Sequence, residues 1–543
     1  MGWRTSLAVC CSVLFATASI AADRPHVVFA IRSCDEVIRD ALHIGELAFG
    51  PAGRAVAAGL VERAEESGIF DAVDRRRPVG VYVSFTGHGG IEPPVAFIPV
   101  TDLERLKDVA QRVGKIRFEP MARGLWRLVG HGRTAYARLA NGYCYVAWSP
   151  AALEAPADPA QLTPHADCEL VVNLAELPPS VKQVLVDRVV AQALRCARKI
   201  PPEKRSGAGE KLRASLRACI EQLEQVRVGL STDRGKGQFV GELFVKAKAD
   251  TPFARALADM QGVHSPLAAL AAHSALYLHS AGTVPAECRK RVVEELLPRA
   301  ERMARKLKER HRVELSAAQL RAFLKSLVAQ EQFDVAVAAY TEGGEPTVVA
   351  ACEVADVQAV RRLVEELARQ RLVELERVGK IEGKTLYRVV PRAHRGRHGP
   401  SLLLFSRRYV WAAHGPQARQ RLSEALRTVE TAELAPTRGL WFRTDLRAWA
   451  VAARKRHASK ALQRALEAIG EEPLLGELNV EPEGRAVVVR WRVDDRVLVG
   501  LAAWVMSEAE RGGIRFRWRW RRHGNRAGAD RLWQATVVGL LNR

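Results

Sequence analysis

The chain offers little to a catalytic reading. It has no C-x-x-C pair and no cysteine/histidine cluster at zinc spacing, which removes the common structural metal sites. It has no G-x-S-x-G elbow, so the serine-hydrolase signature is missing. Beyond the first twenty-odd residues, no apolar run approaches the roughly 20 residues that a membrane-crossing helix needs. No segment is low in complexity. With 48% hydrophobic and 27% charged residues, the composition is that of folded globular chains, and 543 residues imply more than one core. None of these patterns calls for a cofactor.

What the sequence does have begins at its N-terminus. "MGWRTS" carries Arg4, "LAVCCSVLFATASIA" is an apolar core, and Ser19 and Ala21 set small residues ahead of Ala22. This is the pattern of a secretory signal spanning 1–21. Val9, ahead of Cys10, does not suit a lipobox. The expectation is an exported protein, periplasmic or secreted, with no transmembrane anchor after cleavage.

Export allows cysteines to oxidise. Nine cysteines less the two in the signal leave Cys34, Cys144, Cys168, Cys196, Cys219, Cys288 and Cys352, an odd set in which at least one stays free or pairs between chains. Cys196 and Cys219 fall on the apolar stripes of two helices joined by "PPEKRSGAG" and are the candidate bridge. Packed helices sit about 8–10 Å apart, whereas a disulfide needs Cα atoms within about 7 Å, so buried free thiols are the simpler expectation.

The formal charge is +22, and removing Arg4 with the signal leaves 22 − 1 = +21. Such a field attracts polyanions. The 61 acidic residues are interspersed nearly everywhere, as on solvated helix faces.

The chain repeats itself. "VYVSFTGHGGIEPPVAFIPVTD" at 81 is answered by "VAVAAYTEGGEPTVVAACEVAD" at 335: an alternating strand, a turn with paired glycines (Gly89 and Gly90; Gly343 and Gly344), a second strand, then Asp102 or Asp356 in helix N-cap position. "VGKI" recurs at 113 and 378, and "LWRLV" at 125 is answered by "LYRVV" at 386. "NGYCYVAWSP" at 141 is answered by "RRYVWAAHGP" at 407, matching Tyr143 with Tyr409. Each half closes on a glycine-containing hairpin, through "TDRGKG" or "EPEG". The reading is an α+β fold of two homologous halves, 22–265 and 266–543. Each would be a mainly antiparallel sheet with helices packed on one face. For "VKQVLVDRVVAQALRCARKI" the 3.6-residue period marks Val181, Leu185, Val189, Cys196 and Ile200 as the buried stripe.

The "LYLHSAG" strand before a helix, the "GG-EP" hairpin and the "G-K-x-LYRV" strand pair resemble those of exported bacterial proteins of unknown function built from repeated strand-helix-hairpin units. The resemblance implies location and architecture and carries no activity.

Several motifs come close to a chemistry and miss. "GKIEGKT", Gly379 to Thr385, has three residues where a phosphate loop has four. "TGHGG", Thr86 to Gly90, suits a glycine turn without the elbow an oxyanion loop requires. His394 and His398 lie in the loop "PRAHRGRHGP", where helical spacing has no meaning. "VDDR" at 493 reads as a turn. In "RFRWRWRR", Ile514, Phe516, Trp518 and Trp520 alternate with Arg515, Arg517, Arg519 and Arg521. Period two predicts a strand with one aromatic and one arginine face. Its arginines, about 7 Å apart, would guard a sheet edge or follow a polyanion.

The function expected is therefore that of a non-catalytic binding or structural component of the cell envelope. The alternatives left open are an envelope hydrolase whose active site the sequence does not display, and a polyanion-binding module. Anionic envelope polymers or another envelope protein are the expected partners; nucleic acid is not.

Overall fold

The protein is described from a computed structural model. It describes residues 25–510 except 197–201, 261–262, 273, 284–285, 312–316, 329–330, 342–345, 392–400, 437–438, 449 and 452–459. The signal segment, the Gly343/Gly344 turn, the His394/His398 loop and the arginine row at 515–521 therefore lie outside the described residues.

The first half supplies strands β1 (Val27–Ile31), β2 (Val79–Val83), β3 (Val95–Pro99), β4 (Arg117–Pro120), β5 (Leu125–Gly130), β6 (Arg133–Ala140), β7 (Tyr143–Ala147), β8 (Cys168–Val172), β9 (Leu223–Asp233) and β10 (Gln238–Ala247). A two-strand pair of its own joins β11 (His264–Ser265) to β19 (Ala435–Pro436). The second half supplies β12 (Leu276–Thr283), β13 (Gln332–Tyr340), β14 (Thr347–Glu353), β15 (Val373–Ile381), β16 (Lys384–Pro391), β17 (Ser401–Phe405), β18 (Tyr409–His414), β20 (Leu440–Asp445), β21 (Leu475–Glu483) and β22 (Ala486–Asp494).

These twenty strands form one sheet, antiparallel at every pairing. In the first half the order runs β4-β5-β6-β7-β3-β2-β1-β8-β9-β10. In the second it runs β15-β16-β17-β18-β14-β13-β12-β20-β21-β22. The second order repeats the first, strand for strand. The halves meet where β10 pairs with β22 over nine residues, with Glu242 opposite Arg490. That pair is also an ion pair, Arg490 Nε donating to Glu242 Oε2 at 2.8 Å.

Register shows where the sequence match is good and where it slips. Tyr143 faces Pro99 and Tyr409 faces Glu353, each three residues before the capping aspartate, so the two tyrosines stand in corresponding places. Gly80 faces Phe97 and Ala336 faces Ala351, which sets Val81 beside Val337 rather than Val335. The offset is two residues. It leaves every side chain on the same face, so alternation does not detect it.

Eleven helices of eight or more residues are described: α1 (Cys34–Glu66), α2 (Leu103–Gly114), α3 (Pro179–Cys196), α4 (Pro202–Gln222), α5 (Pro252–Asp259), α6 (Ala286–His311), α7 (Ala317–Val328), α8 (Val357–Arg369), α9 (Ala418–Thr431), α10 (Lys460–Ile469) and α11 (Val497–Glu510). Asp102 caps α2 by accepting from Arg105 N at 3.1 Å, and Asp356 caps α8 by accepting from Ala359 N at 2.9 Å.

In the first half, α2 and α3 contribute Leu106, Val181 and Leu185 to one face of the sheet. Short 3-10 turns bring Leu153 and Leu162 against Tyr82, Phe97 and Tyr145 on the other. The second half departs from the expectation of helices on one face. There α7 and α8 pack on Cys352, Val410 and Phe405, while α9 packs on Trp411, Leu386 and Leu404 on the opposite face. The reason is visible in β14 and β18, which are apolar on both faces ("TVVAACE", "YVWAAH") and need cover on both.

The stripe of α3 is met in part: Val181 and Leu185 pack half-buried on the core as expected, but Lys182, Val186 and Val190 are the buried positions and Val189 is 49% exposed. Apolar residues surround this helix, so the 3.6 period fits more than one stripe.

Candidate functional site

A buried polar cluster sits between β11, β12, β13 and β18. Asp334, on an inward position of β13, accepts three hydrogen bonds. Ser265 Oγ donates to Oδ2 at 2.6 Å, Tyr409 OH donates to Oδ2 at 3.2 Å, and His279 Nε2 lies 2.8 Å from Oδ1. Ser265, His279 and Asp334 are at most 4% exposed. Leu267 and Leu270 of the turn Pro266–Ala271 close over the neighbouring core. A carboxylate can be held in such a place only when its lone pairs are engaged.

Serine, histidine and aspartate are all present, but they are wired as a star around the acid. In a hydrolytic triad the histidine bridges the other two and takes the serine proton. Here serine and histidine both bond to the aspartate. Beside them Glu353, bonded to Arg408 Nε at 2.9 Å, has its pKa raised, by burial above all, with Arg408 opposing. Tyr409 is raised too, again chiefly by burial, with the nearby carboxylate charge of Asp334 adding to it.

A direct Ser/His contact joins Ser401 Oγ and His414 Nδ1 at 3.2 Å. The two residues are direct cross-strand partners of β17 and β18. Among the described residues no carboxylate bonds the other imidazole nitrogen, so nothing orients the ring as a base.

An open cavity of about 830 Å³ lies over the β15–β16 turn and the start of α9. Lys380, Glu382, Gln417, Arg419, Glu424 and Arg427 line it. Arg427 Nε donates to Glu382 at 2.9 Å and Arg421 to Glu424 at 2.7 Å. Glu424 is held below the usual carboxylate range, first by the Gln420 amide and then by Arg421. Both cavity acids are thus committed to arginines.

The cavity includes the "GKIEGKT" segment, which here is the end of one strand, a turn with Gly383 at φ 74°, and the start of the next strand. A phosphate loop runs from strand into helix; this one is a β-hairpin. "TGHGG" is a closed turn. Gly89 N bonds Thr86 O at 2.8 Å and Gly90 N bonds Thr86 Oγ1 at 2.9 Å, so these amides are already used. In "VDDR", Asp494 accepts from Arg496 and Asp495 from His43, at the entrance to α11.

No protein-family model matches the chain, and no curated protein matches it. Among solved structures, crystal form I of TP0453 is similar over 45% of this chain and 99% of its own, with 10% identity and a TM-score of 0.21. So slight a likeness transfers no property.

Of the other residues singled out in the sequence, Arg515, Arg517, Arg519 and Arg521 fall outside the described region. Cys219 stands exposed on α4 rather than on a buried stripe, while Cys196 is described only as the last residue of α3. Cys144 is 2% exposed, and burial pushes its thiol up to about 12. Brief alkylation of the native protein followed by peptide mass spectrometry is therefore expected to label Cys219 and spare Cys144. A non-reduced peptide pair joining Cys196 to Cys219 would instead establish the bridge and remove Cys219 from the labelled set.

Proposed function

We infer that the protein is an exported, non-catalytic binding or structural component of the cell envelope, made of two homologous halves. The observation that carries this reading is the fate of its chemically capable groups. Asp334 gathers serine, histidine and tyrosine into a sealed core star, and the carboxylates of the open cavity are bonded to arginines. These arrangements hold a scaffold together. Homology of the halves is supported by the repeated strand order and by Tyr143 and Tyr409 occupying matching positions in it.

The partner class that fits a chain of +22 is an anionic envelope polymer, with Arg515, Arg517, Arg519 and Arg521 as the row that would meet it. Two measurements test this. Fractionation of the expressing cells should recover the protein outside the cytoplasm, with a new N-terminus near Ala22. Retention on heparin should fall with salt and drop sharply when all four arginines become glutamine. Recovery in the cytoplasm with an intact N-terminus overturns the export reading. Unchanged retention in the four-glutamine protein removes that row as the contact.

A further inference from the structure

Directly opposed residues of neighbouring strands point to the same side of a sheet, so register sorts the central strands into two faces. One row starts at Phe29 of β1 and passes through Val228, Leu243 and Val489 to Leu440 of β20. The row two residues along starts at Ile31 and passes through Leu230, Trp491 and Leu478 to Leu278 of β12. Neither row holds a charged, amide or hydroxyl side chain across these strands. Apart from Gly241, which lies under the Trp491 indole, no residue of either row is buried. Phe29 is 41% exposed, Val228 37%, Leu230 43% and Leu278 40%. On the other side of the same strands Glu169, Asn479 and His279 are buried. The apolar side is the open one, the reverse of what a half-covered sheet does in water.

Helices stand along both flanks of the two rows. On one flank Val181 of α3 and Phe253 of α5 pack with Val172, Val226 and Val487, one step beyond the first row. On the other, one step beyond the second row, Thr232 bonds the Asp40 carboxylate of α1 and Leu446 covers Gly476. Val37 and Ile44 lie three and four residues from Asp40, on the same helix face, and both are exposed. Apolar surface thus continues from the sheet onto this flank.

The flanks set the width. Val226 and Thr232 are about 20 Å apart along β9, and helices about 10 Å across centred over each leave a gap of about 10 Å. Eight strands from β1 to β12, spaced by about 4.8 Å, give a length of about 34 Å. The result is a trough with an apolar floor.

We propose that this trough is a binding site for the acyl chains of a single lipid molecule. The floor selects the chemistry. Apart from the Trp491 indole and the Cys168 thiol it offers no side-chain hydrogen-bonding group, so an extended peptide laid across it would leave its amides unpaired. The flanking helices keep flat surfaces, whether a second copy's sheet or a bilayer, from reaching the floor. One helix fits the gap, but filling about 34 Å takes about 23 residues at 1.5 Å each. The rest of the chain does not supply them: arginines stand at every second position from Arg515 to Arg521, and the apolar stretch 529–541 would make a helix of only about 20 Å. An acyl chain is thin, flexible and apolar along its length. One chain reaches about 15 Å, half of a bilayer's hydrocarbon core, so the trough has room for two in line. The export reading supplies the place where lipid is met; the arginine row plays no part, and either site can fail without the other.

The long-chain fatty acid cis-parinaric acid, which fluoresces when its chain leaves water, tests the proposal on the full protein. Wild type is expected to give a saturable rise. Val228→Asn/Leu230→Asn, at two open positions, should keep its circular dichroism and raise the Kd by about tenfold or more. Arg492→Gln, on the other side of β22, should leave the Kd unchanged. A fatty acid carrying a diazirine gives a second reading that needs no variant: its crosslinks should fall on 226–232 and 487–493 of the unmodified protein. Absence of saturable binding by wild type, a double variant that binds as tightly, or crosslinks confined to other segments overturns the proposal. Tighter probe binding by full-length Trp533→Asp/Leu540→Asp also overturns it and assigns the trough to residues 529–541. A wild-type dimer in sedimentation velocity that the double asparagine variant dissociates assigns it to a second copy.

Discussion

Asp334→Ala should destabilise the protein by about 3–5 kcal/mol, the range seen when one partner of a buried charged cluster is removed. The residue is 4% exposed and its two oxygens serve Ser265, His279 and Tyr409. Alanine leaves an imidazole and two hydroxyls facing a void without their acceptor. Asp334→Asn preserves the volume but offers one acceptor oxygen in place of two, so it should cost less while still losing a bond. Urea unfolding of the three proteins decides it through the midpoint at constant slope. A midpoint unmoved by the alanine change would show that the star contributes nothing to the fold.

Trp411→Ala is expected to cost a similar amount, about 3–5 kcal/mol, through the cavity it leaves. The indole is 1% exposed, packed with Tyr277, Leu404, Leu422 and Leu426 beneath α9. Its Nε1 has no hydrogen-bond partner among the described residues. That detail separates two substitutions. Trp411→Phe removes an unsatisfied donor along with part of the ring, so its loss should be well below that of alanine. Calorimetric unfolding of both variants gives the comparison; equal losses would mean the indole N–H is engaged after all.

The architecture was legible where residues act locally. Alternation gave strands, glycine turns gave hairpins, and Asp102 and Asp356 announced their helices as caps. The strand order was not legible, because β1 pairs with β8 and β10 with β22 across long stretches of chain that alternation does not address. Alternation also tolerates a shift of two residues, so Val81 was set beside Val335 when its counterpart by pairing is Val337.

The two-sided burial of β14 and β18 was written in their unbroken apolar runs, which a half-buried strand does not require. The core cluster escaped for a different reason. Ser265, His279 and Tyr409 lie 55 to 75 residues from Asp334, and only the fold brings them together. One signal was present: an aspartate in "FDVAVAAY" and a histidine in "LYLHSAG", each at an inward position of an otherwise apolar strand. Such residues ask for a partner.

The central seam has a consequence for how the chain is made. Glu242 waits for Arg490, 248 residues further on. A ribosome adding about 5–20 residues per second therefore leaves β10 as a bare edge for roughly 12–50 seconds while the second half is synthesised. An edge strand with unpaired amides is a template for any other extended chain nearby. Along β10, Gln238, Glu242 and Lys246 place a polar or charged group at every fourth position. In the finished protein Glu242 bonds across the seam and Lys246 bonds Glu224 of β9; before the seam closes, they make a poor surface for a wrong partner.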